Sequence, residues 1–572
     1  MRADEEVVVN EADLDTPSGR KLWVDVVFVL LLVAVTTLLL VDFSGLTIRR
    51  LGARHAAAAM DFAERRQLFD VQYNHTRYTC KLPFPFWLMS LPVFVLGPTD
   101  VVLRLVSELF GLGLVMMAYF LGRKFFGRGA GFFAGVVVVV NVLHPWVVRH
   151  SLIDTSAHLL VCLPVAFFYL GWQNPKRRRL YVFLFYAASA IATWHRGPLG
   201  FVLPGITVAA VLIPLGQWRV LRQFLNPLAI LMWLTLMVPY FLALGREHLS
   251  QTILGENLLH FLQGDVSVGE PSEVRPPWYW TAVVLFRTLP WTGFFLLSLV
   301  HAVKRRHGPE RSVLWFLTAW FGSWFLLWHL SAARNETYVL SLIIPMALLT
   351  GTVLDRLWRS PDDVIDTTAK HVWLTFSFVL MGVVSAGMPL AMLVEDGAGL
   401  SMIMWGPITA ALGLLGLVAV IFSMKRDFRH ALVVGICLSV LACALVSFLV
   451  RPAGDRMSPG RPLFARVREL VGDRPVLVFG GDDLKQLPHE LHSIVLVLRS
   501  PHPVTVTGDA NKVRKRWKKS DNLVVFLPEV GKGALDKLKL KSRLVRLEDS
   551  SGNYLLLFHR KTAQAGKTPS SP

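Results

Sequence analysis

WVDVVFVLLLVAVTTLLLV, residues 23–41, holds a single ionisable side chain, Asp25. A helix needs about 20 mostly apolar residues to cross the hydrocarbon core of a bilayer, so this stretch reads as a membrane span. Twelve more stretches read the same way, at about 100–122, 130–148, 155–173, 180–194, 199–215, 228–244, 279–302, 313–330, 338–354, 371–393, 402–424 and 431–450. The apolar run Phe84 to Gly97 is too short and reads as a juxtamembrane or re-entrant piece. The fold class expected is therefore a polytopic α-helical membrane protein of about thirteen transmembrane helices.

Composition agrees. Of 572 residues 53% are hydrophobic and 17% charged, against roughly a quarter charged in a soluble domain, which excludes an ordinary soluble enzyme. Four cysteines, three of them (Cys162, Cys437, Cys443) inside apolar runs and only Cys80 outside, offer neither a disulfide framework nor a metal cluster. No divalent metal or other cofactor is indicated. The first 20 residues are polar and acidic, as before a retained signal anchor.

The formal charge of +19 takes its meaning from the loops. Those after the second, fourth, sixth, eighth, tenth and twelfth spans carry Arg123, Lys124 and Arg128; Lys176 to Arg179; Arg219 and Arg222; Lys304, Arg305, Arg306 and Arg311; Arg356 and Arg359; Lys425, Arg426 and Arg429. By the positive-inside rule these face the cytoplasm. The expected arrangement is an acidic cytoplasmic tail at 1–21, a membrane region at 22–451 with a first external loop at 42–99, and an external α/β domain at 452–560. A disordered tail follows at 561–572. In the α/β domain Pro475 to Phe479, Ile494 to Leu498, Leu523 to Leu527 and Tyr554 to Phe558 read as strands. Its basic run Lys512 to Lys519 reads as a solvated helix face, or as a contact for anionic head groups.

The first external loop breaks the charge rule with seven cations, Arg49, Arg50, Arg54, Arg65, Arg66, Arg77 and Lys81. External loops elsewhere hold Arg149, His150 and Asp154; His195 and Arg196; Glu256, Asn257, Arg275, Trp278 and Tyr279; and Arg334, Glu336 and Tyr338. A cavity so rich in guanidinium suits a polyanion at the membrane surface, because arginine binds phosphate bidentately. Nucleic acid is not an expected partner. Taken singly, each such arginine also fits snorkelling to lipid head groups. Arg104 and Glu108, four apart inside the second span, read as an internal ion pair.

The ordered motifs resemble the GT-C membrane glycosyltransferases, specifically the protein O-mannosyltransferase and lipid A aminoarabinose transferase-like family (glycosyltransferase family 39-like). Tyr78-Thr-Cys-Lys81-Leu-Pro-Phe-Pro-Phe-Trp87 is similar to Y-x-E-K-P-P-L-x-Y-W, Arg149-x4-Asp154 to R-x4-D, and Arg196-Gly-Pro198 to K-G-P. Glu256-Asn257, Pro277-Trp-Tyr-Trp280 and Pro290-Trp-Thr292 resemble the family's loop before the eighth span, and Ser331, Arg334, Tyr338 and Pro345 its S-x-x-K-x-x-x-Y run. The resemblance implies transfer, with inversion, of a sugar from a polyprenyl-phosphate carrier to a lipid or protein acceptor on the periplasmic face of a bacterial inner membrane. It implies that Lys81, Arg149, Arg196 and Arg334, with Arg54 and Arg275, hold the donor phosphate. Tyr78, Glu256, Trp278, Tyr279 and Tyr338 would then line the substrate cavity.

Where the family opens its first loop with the acidic pair of D-E-x-R-Y-A, this chain has Leu51-Gly-Ala-Arg54-His55-Ala56, and Cys80 replaces the glutamate before the lysine. Three readings follow. The acceptor is itself an anion and needs no base; another group, Asp154, His55 or Asp42, serves as the base; or the chain binds a lipid-linked sugar as a scaffold without transferring it. A transporter is the remaining alternative, but no internal repeat supports it.

Overall fold

The computed structural model describes residues 19–41, 48, 50–74, 76–79, 81–150, 152–250, 260–263, 276, 278–305, 307–332, 336–395, 402–450, 460–472, 474–479, 505–507, 509–520, 523–527, 542–549 and 552–559. In chain order the first helices are α1 (Gly19–Leu40) and α2 (Arg50–Arg65). A two-stranded hairpin, β1 (Gln72–Tyr73) with β2 (Thr76–Arg77), leads to α3 (Phe84–Leu96). The bundle continues with α4 (Asp100–Phe126), α5 (Arg128–Val139), α6 (Leu143–His150), α7 (Asp154–Gln173), α8 (Arg178–Arg196), α9 (Leu199–Leu212), α10 (Trp218–Phe224), α11 (Pro227–Leu249) and the single turn α12 (His260–Gln263). Then come α13 (Tyr279–Arg287), α14 (Thr292–Lys304), α15 (Arg311–Leu330), a 3-10 segment Glu336–Leu342, α16 (Ile343–Arg359), α17 (Thr368–Glu395), α18 (Met402–Met424) and α19 (Phe428–Leu445).

Among the described residues nine helices are long and apolar enough to cross a bilayer, or eleven with two bent pairs counted as one span each. The expected thirteen also included α8, which carries arginines at both ends, and α9, which is only 14 residues long. The run Trp218–Arg246 forms one candidate span, taking in Arg219 and Arg222, which the sequence placed in a loop. On α1, α11 and α18, leucines such as Leu30, Leu31, Leu231, Leu242 and Leu414 stay exposed. Surfaces this apolar are stable against lipid tails and not against water. The 3-10 segment and α16 form the innermost element, almost wholly buried among α4, α5, α14, α15 and α19.

Small residues let backbones approach. A Cβ on Gly122 of α4 would lie 2.8 Å from Gly131 Cα of α5, and a Cβ on Gly416 of α18 would lie 2.8 Å from Gly382 Cα of α17. Such contacts drive helix association where lipid removes the hydrophobic advantage of burial.

Both bent pairs have local causes. The chain turns by 56° between α5 and α6, where Asn141 Oδ1 accepts from Leu143 N at 2.8 Å, and by 110° between α13 and α14, where Pro290 cannot continue a helix. Thr292 Oγ1 donates to the carbonyl of Leu285 at 2.6 Å, taking up a freed acceptor. The two breaks also bond each other: Val142 N donates to Leu289 O at 3.1 Å, and Trp291 Nε1 donates to Val140 O. Backbone groups that leave a helix inside a membrane need such partners.

The C-terminal described residues form a five-stranded sheet in the order β4 (Thr505–Thr507), β3 (Val476–Phe479), β5 (Val524–Leu527), β7 (Gly552–His559), β6 (Ser542–Asp549). The β4–β3–β5 pairs are parallel and β5–β7–β6 antiparallel. Strands expected at 475–479, 523–527 and 554–558 coincide with β3, β5 and β7. The one expected at 494–498 lies outside the described residues.

Candidate functional site

Two ends of the bundle are defined by α1. At its start, buried Asp25 accepts from Tyr119 Oη at 2.8 Å and pairs with Arg123 (2.8 Å) and Arg128 (3.0 Å). Arg356 pairs with Glu310, Arg359 with Asp355 (2.9 Å) and Lys304 with Asp366 (3.1 Å), so five cations assigned to cytoplasmic turns meet acids. At its other end, Arg149 donates to the carbonyls of Leu39 and Leu40. Arg149, which the resemblance implies is a phosphate ligand, thus reaches the C-terminal carbonyls of α1.

The antiparallel pair α7 and α8 brings the first residue of one beside the last of the other. Asp154 Oδ1 and Arg196 Nη1 lie 2.8 Å apart, their side chains 8% and 16% exposed. The Tyr338 ring covers the same guanidinium, its centroid 5.0 Å from Arg196 Cζ. Arginine carries five donors in a rigid fork; fixed by a carboxylate and a ring, it is ready oriented for a phosphate oxygen. On the same helices Ser156 Oγ and His195 Nε2 are 2.7 Å apart, both buried, and His158 lies one turn beyond Asp154, within the field of the ion pair.

The segment from α2 to α3 folds against this end. Alanines on one side of α2 (Ala53, Ala56, Ala59, Ala63) are buried with Tyr73, Tyr78, Phe86, Leu152 and Ile153, so the cluster runs directly into Asp154. Arg54 lies over the rings of Tyr78 (4.7 Å) and Tyr73 (5.9 Å), a geometry that favours the cation electrostatically. Burial pushes the Tyr73 phenol well above its ordinary range, with Arg54 opposing. His55 is buried in this cluster, edge-on to Phe86 at 6.3 Å. Lys81 is half-buried at the entry to α3. Arg104 and Glu108 are both buried on α4.

Two groups of aromatic rings lie beside Arg196. Trp194 stacks on Tyr240 at 5.2 Å, the Tyr240 hydroxyl donates to Trp194 O, and Phe84, Phe69 and Trp87 close round them. In the second group Tyr279 meets Trp280, and Trp280 and Trp328 each stack on the Tyr338 ring, while Trp278 is 65% exposed.

Of the residues singled out by sequence, Asp154, Arg196 and Tyr338 come together. Arg54, His55 and Tyr78 form the neighbouring cluster, Lys81 lies half-buried at the entry to α3, and Tyr279 packs on Trp280. Glu256, Arg275 and Arg334 lie outside the described residues, as does Asp42. Sequence reading missed Ser156 and His158, two and four positions past Asp154, and Arg287. The last pairs with Glu336 and lies over Trp146 at 5.2 Å. An arginine inside the apolar run 279–302 was the available signal. Among the described residues no three His, Cys, Asp or Glu converge as metal ligands.

Residues 80–242 match the family model described as dolichyl-phosphate-mannose-protein mannosyltransferase. The chain is 25% identical over 279 residues to an undecaprenyl phosphate-alpha-4-amino-4-deoxy-L-arabinose arabinosyl transferase of Proteus mirabilis, covering 48% of this chain and 49% of that protein. It is 24% identical over 294 residues to the corresponding transferase of Pseudomonas paraeruginosa, covering 50% and 52%. It thus spans about half the length of these curated relatives. The fold is shared with ArnT from Cupriavidus metallidurans bound to undecaprenyl phosphate, at a TM-score of 0.73 and 18% identity over 94% of this chain and 98% of that one. An archaeal oligosaccharyltransferase from Archaeoglobus fulgidus, in complex with an inhibitory peptide and a dolichol-phosphate, aligns at a TM-score of 0.53 and 12% identity, over 89% and 70%.

Proposed function

We propose that this chain, a GT-C membrane protein of the kind that includes the protein O-mannosyltransferases and lipid A aminoarabinose transferases, transfers a sugar from a polyprenyl-phosphate carrier. The acceptor is a lipid or protein on the external face of the inner membrane, and the C-terminal sheet lies on that face. The observation that carries the reading is the Asp154–Arg196–Tyr338 group, a cation held in place at the end of the bundle that also carries Arg54 and Lys81.

In the reaction an acceptor oxygen attacks the anomeric carbon from the face opposite the phosphate. The carbon–oxygen bond to phosphate breaks, its electron pair stays on the phosphate oxygen, and polyprenyl phosphate departs. Arg196, with Lys81 and Arg54, stabilises the charge that develops there, and groups already oriented do so without reorganisation. Asp154 holds Arg196. A hydroxyl acceptor gives its proton to a base, whereas a phosphate acceptor arrives deprotonated.

A second reading, donor binding without transfer, is favoured by one observation. Where the family carries its acidic pair, α2 has Leu51 and Gly52, so that part of the helix supplies no carboxylate. Incubating the purified protein with a labelled polyprenyl-phosphate sugar and candidate acceptors separates the two. A labelled acceptor supports transfer; tight donor binding with no labelled product supports the second reading.

A further inference from the structure

The basic helix of the C-terminal segment plays no part in sugar transfer as proposed. It runs Ala510–Lys519 and holds six cations in ten residues: Lys512, Arg514, Lys515, Arg516, Lys518 and Lys519. Asp509 caps it, its carboxylate accepting from the N–H groups of Asn511 and Lys512. Val513 and Trp517, four positions apart, are 0% and 4% exposed and pack among Leu477, Phe479, Leu523, Val525 and Leu557. This docking fixes the helix's rotation, leaving Lys512, Lys515, Arg516, Lys518 and Lys519 exposed together.

Like charges three and four apart on a helix repel each other. Here Lys512 stands three and four positions from Lys515 and Arg516, and Lys515 three and four from Lys518 and Lys519. The face is about 15 Å long. An arrangement that costs the isolated fold is stabilised by a polyanionic surface, and one lies within reach. The first helix of the segment, Gly460–Val471, begins ten residues after Val450, at most about 35 Å of extended chain. The segment is thereby held close to the bilayer its own helices cross.

We propose that the exposed face of Ala510–Lys519 binds anionic lipid head groups of that same bilayer. Because Trp517 is buried in the sheet, no aromatic anchor is offered to the acyl region. The contact is between ammonium or guanidinium groups and lipid phosphates. An anionic leaflet favours each nearby cation by about fivefold, and salt weakens the attraction. The inference needs only that the chain spans a membrane, and stands apart from the reading as a transferase.

Lysine footprinting of the full chain tests it. The protein is placed in nanodiscs of phosphatidylcholine alone or with about a third phosphatidylglycerol, then acetylated briefly and analysed by mass spectrometry. Labelling of Lys512, Lys515, Lys518 and Lys519 is expected to slow about fivefold or more in the anionic discs and to recover in about 0.5 M salt. Equal labelling in both lipids overturns the proposal. So does protection that is already present in neutral discs and survives salt, which would assign the face to another part of this chain. Protection produced only by adding a soluble polyanion such as heparin overturns it too, and points to a macromolecular partner.

Discussion

Replacing Asp154 by Asn tests the centre of the candidate site. The carboxylate lies 2.8 Å from Arg196, and the two side chains are 8% and 16% exposed. Breaking a buried pair by removing one charge costs about 3–5 kcal/mol, because the other is left uncompensated. Asn keeps the shape and one carbonyl acceptor, so the lower end applies, about 3 kcal/mol. With an unfolding entropy of about 2.1 cal/mol/K per residue, a 572-residue chain loses roughly 2–3 °C of melting temperature. The double variant Asp154→Asn, Arg196→Gln removes both charges and should recover at least half of that loss. Thermal unfolding of the wild type, both single variants and the double variant in detergent, followed by intrinsic tryptophan fluorescence, gives the complete cycle. Transfer is expected to fall in both single variants, and Asp154→Asn to keep more donor binding than Arg196→Gln. Single effects that simply add in the double variant, with a coupling below about 0.5 kcal/mol, would refute the pair as an energetic unit.

Other expectations follow from different parts of the chain. Lys81→Ala should weaken donor binding in an equilibrium assay, whereas Arg149→Gln, which loosens the end of α1, should lower melting temperature more than donor affinity. Gly131→Ala puts a Cβ 2.5 Å from the Tyr119 carbonyl and should destabilise by about 1–3 kcal/mol, seen as a lower melting temperature. Asp366 is held down to about 2 by hydrogen bonds from Lys370 and Lys304. Its contribution to stability is complete above its unfolded value near 3.8 and is lost as pH falls towards 2. In Asp366→Asn the melting temperature should therefore depend less on pH between about 4 and 2.

The spans were legible because runs such as 23–41 or 431–450 carry their signal in bulk hydropathy, which needs no tertiary information. The same averaging hid the bends. The stretches 130–148 and 279–302 average as apolar despite Asn141 and Arg287, yet each breaks, with Pro290 at one of the breaks. At the candidate site, Asp154, Arg196 and Tyr338 were legible one by one through the ordered motifs, Asp154 as a base, Arg196 as a phosphate ligand and Tyr338 as part of the cavity. Ser156, His158 and Arg287 were not, because their significance comes from the packing of α7 against α8 and of α13 against the 3-10 segment. Arg149 shows the converse: its motif was visible, but its contact with the end of α1 depends on helices more than 100 residues apart.

The two bends that bond each other also impose an order in time. Val140 and Val142 find their partners at Leu289 and Trp291, about 150 residues later in the chain, which at about 5–20 residues per second takes on the order of 10–30 s to synthesise. The twelve residues of α5 measure about 18 Å, so the waiting backbone groups lie well inside a hydrocarbon core of about 30 Å. During that interval the break between α5 and α6 must be hydrated, held straight or sheltered by the insertion machinery. The N-terminal half of this bundle is thus inserted before it is finished, and the segment at 289–291 completes it.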